Sequence, residues 1–152
     1  MQSAVRSVLL SSAAVVLAGC HLVAPERLHP YDTGELRVLS ASGLWDAPDQ
    51  MELFRGFLDE DEMSVDLDFS SAGGHAVSIY GLVSSGFGRV SVRTPEGPGA
   101  TGLLGFDCFM EEFTWGRDEA GGRVECPSLE SGSLSGPISI GFDFLARAEA
   151  DG

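Results

Sequence analysis

The chain has 152 residues, a net charge of −14, and neither Lys nor Asn. Such an acidic balance argues against nucleic-acid phosphate and anionic headgroups as partners. The missing Lys removes Schiff-base and P-loop lysine chemistry, while the length suits one domain with a real core.

The first charge is Arg6, and the next is Glu26. Between them runs the apolar stretch Val8 to Ala18, closing on Leu17-Ala18-Gly19-Cys20. A charged start, a short apolar run and small residues at its end form an export signal. The run falls short of the roughly 20 residues that a spanning helix needs. The last four residues resemble the lipobox of bacterial lipoproteins, and the body generally resembles the small lipoproteins of GC-rich bacteria. The resemblance implies that residues 1–19 are a signal peptide and that Cys20 carries a diacylglycerol thioether. It places the protein on the extracytoplasmic face of a membrane, held by lipid. Two acyl chains anchor durably where one binds marginally. Removing 19 of the 152 residues leaves 133, and loss of Arg6 takes the charge from −14 to −15.

If Cys20 is acylated, Cys108 and Cys126 remain as a pair in an oxidising compartment, where a disulfide persists. A metal or redox pair is the alternative, but the C-x-x-C spacing usual in such sites is missing. Direct facing of the two cysteines would centre a turn on residue 117, whereas the turn residues Asp118–Gly122 centre near 120. A bulge, or a bridge between unpaired segments, would resolve this.

Residues 20–34, with two Pro and no clear period, read as a tether, and His21 and His29 on it as solvated. The globular domain is expected over 35–146, with a tail over 147–152. Leu36 and Val38 alternate in the first strand. Asp46-Ala47-Pro48-Asp49 then reads as a helix start, with Met51, Phe54 and Leu58 at helical spacing, so a short helix is expected near residues 47–58.

Beyond it the pattern is β. Val65, Leu67 and Phe69 alternate with Asp66 and Asp68. Strands follow over Val77–Val83 and Arg89–Thr94, and extended chain resumes from Thr101 to Phe106. The stretch Phe106 to Phe113 fits either period, and its flanking glycines favour strand through Thr114. Arg123–Cys126 ends at Pro127, a Ser/Gly loop covers 128–137, and Ile138, Ile140, Phe142 and Phe144 alternate strictly. The fold class is mainly β, a compact sandwich or a twisted antiparallel sheet with one short helix.

Motifs for chemistry are weak. Gly97-Pro98-Gly99-Ala100-Thr101-Gly102 matches G-x-G-x-x-G but opens no helix, and Pro98 has no amide to donate, so no cofactor is expected. Asp59, Asp61, Asp66 and Asp68 are the candidates for a Ca²⁺ site, against a solvated acidic face. His75 is the only His of the expected domain and has no nucleophile elbow near it in sequence. Neighbouring Glu111 and Glu112 point apart on a strand. Trp45, Phe87, Phe109, Phe113 and Trp115 either line a ligand patch or fill the core, and β-rich domains favour the core. The resulting expectation is a non-enzymatic binding or interaction module, with an envelope protein or small ligand as partner. A secreted accessory domain with Ca²⁺ at 59–68 is the alternative.

Overall fold

The alternation of apolar and polar residues is realised as strands almost everywhere. In this computed structural model, residues 28–43, 46, 48–97, 99–130 and 136–149 are described. The expected signal segment, Cys20, His21 and Trp45 lie outside them. The ten strands are β1 (Leu28–Pro30), β2 (Thr33–Ser42), β3 (Gln50–Asp59), β4 (Ser64–Ser70), β5 (Ala76–Leu82), β6 (Gly88–Arg93), β7 (Gly99–Leu104), β8 (Phe109–Trp115), β9 (Glu119–Leu129) and β10 (Ile138–Arg147). No helix occurs among the described residues.

One antiparallel sheet holds all ten, in the order β7-β6-β5-β4-β3-β2-β10-β9-β8, with β1 added to β3. It is a twisted sheet curled toward a barrel, and not two sheets packed as a sandwich. Its inner face carries the core. Val65, Leu67 and Phe69 on β4 and Ile138, Ile140 and Phe142 on β10 are all buried. Their outward neighbours Asp66, Asp68 and Asp143 keep contact with water, as the two-residue period requires.

The helix expected near residues 47–58 is instead β3, and the reason is a β-bulge. Leu53 faces Phe69 and Arg55 faces Asp68, which leaves Phe54 as the extra residue. Met51 and Leu53 turn inward before it, Gly56 and Leu58 after it. A two-residue period with one residue inserted imitates helical spacing. Phe54, counted on the helical face, is 79% exposed. Gly56 has a packing role, since a Cβ there would stand 2.8 Å from Leu67 Cδ2.

Residues 28–30 and 33–34 of the expected tether lie in strands of the sheet. Leu28, His29 and Pro30 pair with Asp59, Leu58 and Phe57. Tyr31 is 4% exposed. Its hydroxyl donates to the Gly116 carbonyl at 2.5 Å, and burial pushes the phenol up to about 12. At the other end β10 runs to Arg147, and the Ala148 and Glu149 amides donate to the Asp118 carbonyl and to Asp32 Oδ2. β9 also outruns its expected stop. Pro127 sits in a bulge between Cys126 and Leu129, opposite Ser139, a position that demands no ladder amide.

Candidate functional site: an aromatic cleft in the barrel mouth

Closure of the sheet fails at one place, and the cleft lies there. β7 pairs with β6, and β8 pairs with β9. Since all those ladders are antiparallel, β7 and β8 run in the same direction, joined by the single parallel bridge Leu104 to Cys108. The chain climbs as β7, kinks through Gly105 to Asp107, and climbs on as β8. The Leu103 carbonyl accepts the amides of Phe106, Asp107 and Cys108 in that kink, and Asp107 Oδ2 accepts the Leu103 amide. Pairing therefore switches from β6 to β9 at the kink, and the far edge of β8 faces the β5–β6 turn without a ladder.

Side chains span that gap. The Trp115 ring lies over Gly81 of β5, where a Cβ would touch it at 3.5 Å. Trp115 also meets Phe113 and Phe144, with centroids 5.5 and 6.3 Å away. The space left is a cleft of about 180 Å³ lined by Leu82, Leu104, Phe109, Met110, Phe113 and Trp115, with Gly81, Gly86 and Gly105. None of these side chains titrates. At its border Phe87 stacks on Phe106, with centroids 6.3 Å apart and planes at 16°. Phe87, Phe106, Phe109 and Phe113 are 53, 68, 49 and 42% exposed. The aromatics expected in the core are thus divided. Trp115 packs against the core, while Phe87, Phe109 and Phe113 form a surface patch. Met110, Leu82, Leu104 and Phe106 were not singled out from sequence. The signal available for them was the cluster of glycines 81, 86 and 105 around apolar residues.

The cysteine pair stands beside the same seam. Cys108 and Cys126 are fully buried, with Cα atoms 4.1 Å apart and Sγ atoms at 2.07 Å. They continue the register in which Phe109 faces Glu125 and Glu111 faces Arg123, so they face each other directly. The offset of the turn is absorbed by a bulge, with Glu112 and Phe113 both opposite Gly122. Glu112 takes a left-handed φ of 50° there. A Cβ on Gly122 would come within 2.9 Å of Phe113 Cβ, so the bulge needs glycine at that position. On the other side of the pair, Gly102 of β7 gives way to Leu129 Cδ2 and Cys108 Sγ, which a Cβ would approach to 2.4 and 3.0 Å.

The acidic candidates are separated by the fold. Asp59 Oδ1 accepts the amides of Asp61 and Glu62, capping the β3–β4 turn. Asp68 is engaged by Arg55 at 3.2 Å and Ser78 at 2.6 Å. Asp66 lies two residues away on the same face, and its carboxyl is pushed up by burial and then by Asp68. Among the described residues, no three His, Cys, Asp or Glu side chains are placed to share a metal ion. Glu60, beside this turn, joins three segments. It accepts from Arg117 in the β8–β9 turn and lies 3.1 Å from His29 Nε2. Those two partners, Arg117 foremost, hold its carboxyl below the usual range. His29 is accordingly a half-buried sheet residue beside the Glu60–Arg117 pair and not a solvated tether residue. The His75 amide donates to Ser71 Oγ in the β4–β5 turn. Gly99 to Gly102 are part of β7, extended as the glycine motif's context required.

No known family model matches the chain, and no curated protein or solved structure matches it either. Fold and cleft together define a class: an antiparallel, barrel-like β-domain with an aromatic opening at its mouth.

Proposed function

We propose that the chain is a lipid-anchored lipoprotein of the extracytoplasmic membrane face, acting as a non-enzymatic binding module. The stretch Leu17-Ala18-Gly19-Cys20 supports the anchor. The observation that carries the binding role is the cleft beside β8, an apolar opening at a barrel mouth, where small-molecule sites concentrate. Its lining offers aromatic surface and a thioether but no acid, base or nucleophile, so it is suited to holding a ligand and not to transforming one.

Both halves are testable in the full chain. Cys20→Ser is expected to abolish incorporation of labelled fatty acid and to block normal processing at that site. Retention after a high-salt wash, with label still incorporated, overturns the anchor. The same variant in solution is expected to bind an environment-sensitive apolar fluorophore, with binding lost on Phe109→Ala plus Phe113→Ala. Equal binding by that double variant overturns the cleft as the site.

A further inference from the structure

We infer that the cleft receives the aromatic ring of a small molecule that is neutral or cationic, and discriminates against anions; this rests on the binding-module reading. Size sets the first limit. An apolar cavity of about 150 Å³ holds benzene, so 180 Å³ accommodates one ring with a short substituent. A steroid or an extended acyl chain exceeds it.

Shape sets the second. Gly81 presents bare backbone beneath the Trp115 ring, making a flat floor. Phe109, Met110 and Phe113 wall it from β8, and Leu82 and Leu104 from the opposite side. Aromatic walls favour an edge-on or offset ring, and a thioether favours a ring edge. Addition of a peptide strand to β8 is disfavoured, because the bulge at Glu112 breaks the regular edge that such pairing needs.

Charge sets the third. Glu111 and Glu112 are exposed on β8, between the lining residues Met110 and Phe113. The nearest cross-strand cation, Arg123 opposite Glu111, is already engaged by Asp143 at 3.1 Å. A ring bearing an ammonium group gains from the aromatic faces and from the field of the acidic chain, whereas that field disfavours a ring carboxylate.

The test uses the full chain with Cys20→Ser, which carries no lipid. The Trp115 indole resonance, assigned through Trp115→Phe, is followed during titration with phenethylamine, toluene, phenylacetate and laurate. Phenethylamine and toluene are expected to give saturable shifts. Phenylacetate should bind about tenfold more weakly than phenethylamine at low salt, with the gap narrowing as salt screens it. Gly81→Leu fills the floor, and Phe109→Ala removes an exposed wall without touching the core. Each should weaken ring binding about tenfold. Phenylacetate binding as tightly as phenethylamine, or unchanged binding by folded Phe109→Ala, overturns the inference. Saturable binding of laurate alone overturns the ring assignment and leaves an apolar binding module standing. No binding by any of the four overturns both.

Discussion

Two parts of one sheet are closed by different means. From β6 through β2 to β9, neighbouring strands exchange main-chain hydrogen bonds along antiparallel ladders, bulged in places. At β7 and β8 the ladder lapses, and side chains do the closing: Leu129 over Gly102, the Cys108–Cys126 pair, and Trp115 over Gly81. A ladder constrains side chains only by alternation, so its outer face is free to carry Asp, Ser and Arg. A seam closed by side chains depends on individual residues, and it leaves apolar surface near water. That apolar surface is the cleft.

The sharpest way to break the comparison is to remove one large side chain from each part. Phe142 is fully buried on β10, and Phe142→Ala should lower stability by about 3–5 kcal/mol. Phe109 is half exposed at the cleft, and Phe109→Ala should cost less than about 1 kcal/mol. Denaturant unfolding of the Cys20→Ser chain measures both. Similar losses at the two sites would mean that the cleft is an integral part of the core.

Replacing Cys108 and Cys126 together by Ser tests whether the seam depends on its cross-link. The expected loss is about 2–5 kcal/mol, typical for a native bridge in a small secreted domain. Alkylation of both thiols in the folded, oxidised protein would show that no bond forms and that packing alone closes the seam.

Gly122 tests the bulge that aims β8. Gly122→Ala places a methyl 2.9 Å from Phe113 Cβ and 3.2 Å from its Cα. The strain should cost about 1–3 kcal/mol and displace Phe113, so ring binding should weaken along with stability. If stability falls and cleft binding does not change, the bulge serves the fold and not the site.

The sequence was most legible where the strand itself carries no extra residue, even when its partner is bulged. β4 and β10 alternate without interruption, and their inward residues were named from the period alone. The cysteine pair followed from the expected compartment and the count of three; the offset in its turn left a bulge and a bridge between unpaired segments both open, and the structure has the bulge, at Glu112. What failed to read has a common cause in irregular strands. The bulge at Phe54 shifted the phase of β3 and produced a false helix. Pro127, at another bulge, truncated the reading of β9. β1 is three residues long and leaves no period to detect. The cleft was half legible, since Phe87, Phe109, Phe113 and Trp115 were gathered as aromatics. Nothing local to them could reveal that pairing switches from β6 to β9 at Gly105, because that switch is a property of ladders distant in sequence.

The smallest effect concerns the ladder-closed part, where two carboxylates share one outer face. Asp66 and Asp68 stand two residues apart on β4, and Asp68 is held by Arg55 and Ser78. Asp66 is pushed up by burial first and Asp68 second, with Arg55 and Arg89 pulling the other way. A folded-state value above the unfolded one means the folded chain binds this proton more tightly. Stability from Asp66 therefore falls as pH rises through the interval between the two values, and the cost is constant above it. Asp66→Asn removes that cost. The variant should be more stable at neutral pH by no more than about 0.5 kcal/mol, because the site is partly exposed and screened. The gain should vanish below the unfolded Asp value of about 3.9. Glu60 has the opposite sign: lowered by Arg117 and His29, it contributes stability above the unfolded carboxylate value and loses it as pH falls through its folded value. Asp66→Asn leaves that pairing intact, so the melting curves of parent and variant should converge in acid. Thermal unfolding from about pH 3 to about pH 8 measures this. A variant less stable than the parent at neutral pH, or a gain that persists unchanged in acid, would show that Asp66 is held by contacts other than the Asp68 pair.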